Sequence, residues 1–272
     1  MMRALWSAAS GMLAQQTNVD TIANNLANVN TTGYRSEKAE FKSLLYQTLQ
    51  TRTTTANGDQ KPIPAQVGLG TRVSSMTSSF KEGELIASES NTAFAIEGDG
   101  FFGIQGVDGE ISYTRNGDFF WTNGEDGLTL ATAEGYYVLD QEGNPIVIPQ
   151  DIDANTVSID RYGQAGYKTP DGNFVSLNQT IGLWQFNNPA GLEKVAGTYF
   201  RETVASGNAL NEAGNGANLI KSKLHQNYLE SSNVQVADEM VNLIVAQRAY
   251  ELNSKAIQAS DEMLGQANQL KR

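Results

Sequence analysis

The chain contains no cysteine, which excludes disulfides, thiolate metal sites and cysteine nucleophiles together. It contains one histidine, His225, too few imidazoles for a histidine-based metal centre or a Ser-His-Asp arrangement. No stretch approaches the roughly 20 consecutive apolar residues that span a bilayer, so no membrane insertion is expected. The opening residues Met1-Met2-Arg3-Ala4-Leu5-Trp6 lack the apolar core and cleavage pattern of a secretory signal, and composition alone reads as cytoplasmic. Basic residues are scarce in the middle: residues 74–220 hold 6 Lys and Arg against 20 Asp and Glu. The net charge of −11 therefore lies in this body. The flanks are only mildly basic and carry no Lys/Arg run, so no nucleic-acid partner is expected.

What is present is unevenly distributed. Both ends show helix periodicity, while the middle is dense in glycine, aspartate, asparagine and short apolar runs. That pattern predicts a β-rich body with helical extensions rather than a βα repeat. Near the N-terminus Leu5, Met12, Val19 and Leu26 recur every seven residues, and Ala8, Gln15, Ile22 and Val29 form a second row three positions on. Such rows are the a and d positions of a heptad, which favour helix-on-helix packing. The helix is predicted to fail between 28 and 33, where Asn28, Asn30, Thr31 and Thr32 compete with the backbone and Gly33 supplies a stop. At the other end Val236, Leu243, Tyr250, Ile257 and Leu264 recur every seven, interleaved with Met240, Gln247, Ser254 and Asp261. Asn233 is a candidate N-cap, and Asp238 and Glu239 place negative charge in the early turns. A helix is predicted over 234–266, ~50 Å long at ~1.5 Å per residue.

Two striped helices must hide their stripes, either by packing antiparallel on one another or by capping the β core. Between 48 and 71 the chain is threonine-rich and polar, then carries Pro62, Pro64, Gly68 and Gly70; a linker or a long hairpin-like extension both fit. From Val73 onward, Gly98-Asp99-Gly100, Asp108-Gly109, Asn123-Gly124, Asp126-Gly127, Glu142-Gly143 and Asp171-Gly172 punctuate short apolar runs as turns between strands. The expected fold is α+β: a mainly β body, with the terminal helices packed as an antiparallel coiled-coil-like pair. The expected division is a helical core from 1–33 and 232–272, an extended or hairpin-like segment over 34–72, a β-rich outer domain over 73–200 and a return linker over 201–231.

Chemistry is sought without success. Gly98-x-Gly100-x-x-Gly103 has the spacing of a dinucleotide fingerprint, but strands surround it and no helix N-terminus follows. Asp151 with Asp153, and Glu125 with Asp126, lack the full loop of oxygen donors that calcium needs. Glu97 with Asp99, and Glu82 with Glu84, are better read as turn carboxylates than as a glycosidase pair. His225 is read as a surface residue. No catalytic residue, cofactor or metal is expected, and the chain is read as a non-enzyme.

The two ends carry a more specific pattern. Ser10-Gly11-Met12, Gln15-Gln16-Thr17-Asn18-Val19-Asp20 and the run Ile22-Ala23-Asn24-Asn25-Leu26-Ala27-Asn28, continuing to Gly33-Tyr34-Arg35, resemble the N-terminal signature of the flagellar rod and hook axial family. Glu230-Ser231-Ser232-Asn233-Val234 and Ala246-Gln247-Arg248-Ala249-Tyr250-Glu251-Leu252-Asn253 resemble its C-terminal signature. Ile96-Glu97-Gly98-Asp99-Gly100-Phe101-Phe102 is similar to the entry into the family's β domain. Phe41 to Gln47 and the overall length look closer to a rod member than to the hook member, whose middle is larger. A β-rich adhesin or a phage-tail-like tube component would share the acidic body and helical ends, but not the paired signatures.

The resemblance implies a structural subunit that stacks helically around a central channel, with both terminal helices inside and the β domain outside. It implies homo-oligomeric assembly, contact with neighbouring rod and hook members, and passage through the flagellar type III export apparatus without a cleaved signal, into the basal body. The assembly seam would run along Leu5, Met12, Val19, Ile22, Leu26 and Val29 of the first helix and Val236, Met240, Leu243, Tyr250, Ile257 and Leu264 of the second. Asn24, Asn25, Asn28, Gly33, Tyr34, Gln247 and Arg248 carry the signature. The asparagines are read either as helix-capping and solvated residues or as hydrogen-bonding groups between subunits.

Overall fold

The computed structural model describes residues 2–50, 65–106, 108–124, 127–149, 152–168, 174–214 and 219–270. Most of the threonine-rich stretch, and the expected features at Glu125-Asp126, Asp151 and Asp171-Gly172, lie outside the described residues. The chain forms two compact units. One comprises Met1–Ala27, Glu37–Ser78 and Gln235–Arg272; the other comprises Asn28–Ser36 and Ser79–Val234.

The first unit contains the two long helices, α1 (Met2–Ala27) and α2 (Val236–Gln269). They pack on each other antiparallel: Asn25 of α1 meets Glu239 near the start of α2, while Gly11 lies against Asn253 farther along. Beside α1 runs an antiparallel ladder of Glu37–Ser43 with Thr71–Ser78. Ala39 is buried there, and Thr21 Oγ1 lies 3.5 Å from Met76 Sδ. The ladder continues as Tyr46–Gln50 paired with Ala65–Gly68, with Tyr46 and Leu49 exposed on the first of these strands and Leu45 exposed just before it.

The ends of the helices have local causes. Past Ala27 the chain turns, the Thr31 N–H and Oγ1 reaching the Asn28 carbonyl and Oδ1 at 3.2 and 3.1 Å. Gly33 then adopts φ +66°, and a Cβ there would stand 2.5 Å from the Asn116 nitrogen. Only glycine meets both demands. At the other end α2 starts two residues later than the sequence predicts and runs three residues further. Gln235 occupies the cap position without a side-chain bond, because the Asn233 side chain is engaged elsewhere. Asp238 and Glu239 still put negative charge in the first turn, where free amide groups favour it.

The second unit is built from short antiparallel strands. Its main sheet runs Val147–Ile148, Leu128–Ala131, Tyr137–Val138, Phe101–Gln105, Ile111–Thr114, Tyr199–Arg201, Glu193–Ala196. Leu183–Gln185 also pairs with Phe101–Gln105, and a separate meander joins Val157–Ile159, Gln164–Lys168 and Phe174–Thr180. Apolar side chains from alternate positions bury Phe94, Phe102, Ile104, Phe119, Leu130 and Ile181 in one cluster, and Phe101, Trp184, Phe186 and Phe200 in a second. The rings of the second cluster meet edge to face, Phe101 with Phe186 at 5.5 Å and Tyr113 with Phe186 at 4.9 Å, a favoured arrangement for aromatic quadrupoles.

Phe94–Glu97 and Phe101–Gln105 flank the Gly98–Gly100 turn as the sequence leads one to expect, and Phe94–Glu97 pairs with Lys223–Gln226. The stretch 201–231, read as a return linker, carries strands: Lys223–Gln226, Tyr228–Glu230 against Leu85–Ala87, and Leu210–Asn211 against Leu183–Gln185. Two of these pairings reach partners more than a hundred residues away and supply order that local pattern does not reveal.

Burial pushes the Tyr113 phenol up to about 12, with Glu202 adding to it. An unfolded chain would release that proton near pH ~10, whereas the folded chain keeps it until about 12. The folded state then binds more protons, so this contribution is intact below pH ~10 and falls between about 10 and 12, by roughly 1.4 kcal/mol per pH unit. Thermal melts across that window should lose less stability in Tyr113→Phe than in the parent. Identical slopes for the two chains would remove Tyr113 from the account.

Candidate assembly surface

Residues in the first unit sort into three groups by what they touch. Small residues lie along the contact between α1 and α2. Ala8, Gly11 and Ala14 line α1, and Ala246, Asn253 and Ser260, spaced by seven, line α2. A Cβ on Gly11 would come within 2.9 Å of Asn253 Nδ2. Small side chains let the two backbones approach closely, and the larger apolar residues then sit on the flanks of the contact line.

That is where the sequence-derived seam falls. Ile22 is buried; Leu5, Met12, Val19, Leu26, Val29, Leu243, Ile257 and Leu264 are half-buried; Val236, Met240 and Tyr250 are exposed. The interleaved row chosen from sequence on α2, Met240, Gln247, Ser254 and Asp261, is one position off the row that faces α1. Counting three rather than four residues on from Val236 finds Glu239, Ala246, Asn253 and Ser260. Val19 and Tyr250, with Gln16, Gln247 and Glu251, line a shallow groove between the helices.

The third group turns away from both. Val241, Ile244, Val245, Leu252 and Met263 are exposed on α2, Val245 by 62% and Leu252 by 66%. At ~100° per residue these positions share a face of α2 turned away from Ala246. On α1, Trp6 and Leu13, seven residues apart, are exposed by 73% and 67%. Each helix therefore presents apolar side chains on a second face, one its partner helix leaves uncovered. Contiguous exposed apolar surface on a helix marks an interaction site.

The signature asparagines and their neighbours have different roles. Asn25 is buried, its Oδ1 accepting the Glu37 N–H at 2.9 Å and its Nδ2 donating to the Glu37 carbonyl at 2.8 Å and to Glu239 Oε1 at 3.2 Å. It ties α1, the ladder and α2 within one subunit. Asn24 lies exposed on α1 and Asn28 in the turn beyond it. Gln247 and Arg248 are exposed, and Arg248 pairs with Glu251 at 2.8 Å, a surface pair worth about 0.3–0.5 kcal/mol.

In the second unit the tails of both signatures meet. Glu230 is buried between two buried guanidinium groups, Arg35 Nη2 at 2.8 Å and Arg115 Nε at 3.0 Å. Its Oε1 also accepts the Gly83 N–H at 2.8 Å, and its carbonyl accepts the Gly33 N–H at 2.8 Å. Arg35 Nη1 donates to the Lys81 carbonyl at 2.6 Å, and Arg115 Nη1 donates to the carbonyls of Gly98 and Gly100. Burial lowers the Arg35 guanidinium below its ordinary value, and the neighbouring Arg115 charge adds to this, while Glu230 opposes both. Tyr34 is buried beside this cluster in the chain, its ring 4.6 Å from Lys194 Nζ. Sequence reading quoted Arg35 and Glu230 in separate signatures. Nothing in heptad spacing joins residues 195 positions apart.

The glycine fingerprint is also accounted for. Gly98 has φ +127°, and a Cβ on Gly100 would meet Glu212 and Ser222 at 2.8 Å. On Gly103 it would run into the Trp184 ring at 2.3 Å. These glycines admit the buried Gln185–Glu212–Ser222 network and the indole, not a pyrophosphate. Ser222 Oγ donates to Glu212 Oε1 at 2.7 Å and accepts the Gly100 N–H at 3.0 Å. His225 Nε2 pairs with Glu97 Oε2 at 2.8 Å on the surface, and that bond, with Lys223 nearby, holds the Glu97 carboxyl below its usual range. Among the described residues no group of three or more His, Asp or Glu could hold a metal ion, and no helix is long and apolar enough to cross a membrane.

Terminal helices that pack on each other and each leave a second apolar face exposed describe an assembling structural protein. Models of flagellar axial domains match along its length: the flagella basal body rod protein over 5–35, the flagellar hook protein FlgE/F/G D1 domain over 95–167, and the flagellar basal body rod FlgEFG protein C-terminal over 225–270. The chain belongs to the flagellar basal-body rod protein family. It is 46% identical to the flagellar basal-body rod protein FlgG of Borreliella burgdorferi, with both chains covered in full. It is 40% identical to that of Caulobacter vibrioides, over 99% of this chain and 100% of the relative, and 36% identical to that of Bacillus subtilis, again with both covered in full.

Proposed function

We propose that this chain is the structural subunit of the flagellar distal rod, polymerising helically around a central channel to form the drive shaft between motor and hook. Full-length similarity to several rod proteins named FlgG supports the distal rod over a proximal-rod or hook member. The observation that carries self-assembly is the second apolar face of α2, Val241, Val245, Leu252 and Met263, left open by α1. Covering it with a neighbouring subunit's helices buries surface that a lone subunit exposes, and a heterologous contact of this kind propagates helically. The subunit acts mechanically and is not an enzyme. It reaches the basal body through the flagellar export apparatus without a cleaved signal, and contacts proximal rod proteins below and hook protein above.

The test is electron cryomicroscopy of purified hook–basal bodies with a small tag in the exposed Asp108-Gly109 turn, where a Cβ on Gly109 meets nothing within 4 Å. Tag density along the straight distal shaft, outside a core of both terminal helices, is expected. Density restricted to the curved hook or to the base would assign another member of the family.

A further inference from the structure

Four segments of chain pass between the two units, after Ala27, Ser36, Ser78 and Val234. Inside the second unit, three of them converge on the side chain of Asn233. Its Oδ1 accepts the Ser36 N–H at 2.8 Å, and its Nδ2 donates to the Ser79 carbonyl at 2.8 Å and the Lys81 carbonyl at 3.1 Å. Asn233 itself immediately precedes the third departure, at Val234. The Ser79 N–H closes the circuit by donating to the Ser36 carbonyl at 2.8 Å, and the Asn233 N–H reaches the Tyr34 carbonyl at 3.4 Å. The fourth segment, which enters from α1, is held a few residues later, where the Gly33 N–H donates to the Glu230 carbonyl.

The side-chain chemistry is selective. A carboxamide offers an acceptor and two N–H donors on one short planar fork. Aspartate would keep the acceptor but turn a second oxygen on two carbonyls, and serine cannot span all three partners. A residue retained only to cap α2 would not need this fork, since serine, threonine and aspartate cap as well. Asn233 in fact leaves the cap position to Gln235.

We infer that Asn233 is a tie that binds the departing chain segments into one element, so that force on the helical unit is shared among them instead of drawing out each segment in turn. The mechanical role rests on the reading of the chain as a rod subunit; the tie itself does not. Without it, Ser36 and Ser79 would keep only their mutual backbone bond, the chain departing after Asn233 would be untied from both, and a shaft subunit under torque would yield there.

Two arms test this on the full-length chain. In residue-resolved hydrogen exchange of the free subunit, Asn233→Ala should speed exchange at the Ser36 and Ser79 amides at least ~10-fold. The Leu130 and Leu139 amides, bonded in the β core to Ile146 and Gly103, should keep their rates. Asn233→Ser should behave like the alanine variant. Rescue by serine would mean a plain capping role, and equal acceleration in the core would mean general loss of stability; either result overturns the tie. In the second arm, Asn233→Ala is the only copy in a motile strain. Rods and hooks should form in normal number, with swimming in viscous medium falling well below the parent. Parental swimming under load, or failure to build rods at all, overturns the shared-load role. Absence of the parent chain itself from the axial structure would instead defeat the rod reading, and leaves the exchange result standing.

Discussion

Glu230→Ala is expected to lower the melting temperature of the second unit by ~10 °C. The replacement leaves Arg35 and Arg115 buried, with side-chain exposures of 1% and 2%, and no carboxylate between them. Removing one member of a buried charge cluster costs about 3–5 kcal/mol, because the remaining charge is neither solvated nor paired. For a unit of this size each kcal/mol moves the melting temperature by roughly 2–4 °C. Glu82, half-exposed and 4.0 Å from Arg115, is too distant and too well solvated to stand in. Arg35→Ala should cost less, since it leaves Glu230 still paired with Arg115. The double variant should lose less than the two single losses combined, the mark of residues that share a partner. A Glu230→Ala chain that melts within ~2 °C of the parent would show that the cluster is dispensable.

Placing a carboxylate on the outward face of α2 should abolish polymerisation and leave the subunit folded. Val245→Asp and Leu252→Asp are the positions of choice, because both side chains are exposed in the lone subunit and neither lines the contact with α1. Each change removes the burial of an apolar side chain worth about 1.5–3 kcal/mol and substitutes a group that resists desolvation. The subunit concentration needed for assembly should rise at least ~100-fold, at about 1.4 kcal/mol per tenfold. Leu243→Asp makes the informative contrast. Leu243 is half-buried on the side facing α1, so that variant should also lower helicity in the free subunit, while the two outward variants should not. Circular dichroism of the monomer and electron microscopy of assembled material separate the cases. Normal filaments from Val245→Asp would exclude this face from the interface.

How much of this was legible in the sequence depended on the range of the interaction. The two helices and the stop after Ala27 are local properties of side-chain pattern, and they read correctly. The antiparallel pairing of α1 with α2 followed because two stripes required covering. The row facing α1 was misplaced by one position because sequence reading favours large apolar residues. The positions along the contact carry small side chains instead, at Ala8, Gly11, Ala246 and Ser260. The second face of α2 went unread for the opposite reason: Val241, Val245 and Leu252 fall between the seven-spaced rows and dilute the stripe. In the β unit, turn signals located strands without giving their partners. Asn233 looked like a helix cap because its role depends on Ser36 and Ser79, which lie more than 150 residues away along the chain. The same distance hid the meeting of Arg35 and Glu230.

These pairings of early with late residues bear on when the molecule can fold. Phe94–Glu97 pairs with Lys223–Gln226, Leu85–Ala87 with Tyr228–Glu230, and α1 with α2, so the helix pair and these two flanking ladders are closed only by the last fifth of the chain. Loop closure must be met before such contacts give any return, and proteins dominated by them fold slowly. A chain emerging from its N-terminus would hold α1 without a partner, and Arg35 without its carboxylate, until residue 230 arrived. The helix pair and the Glu230 cluster should therefore stay unformed and protease-sensitive until emergence is nearly complete, then close in one late step.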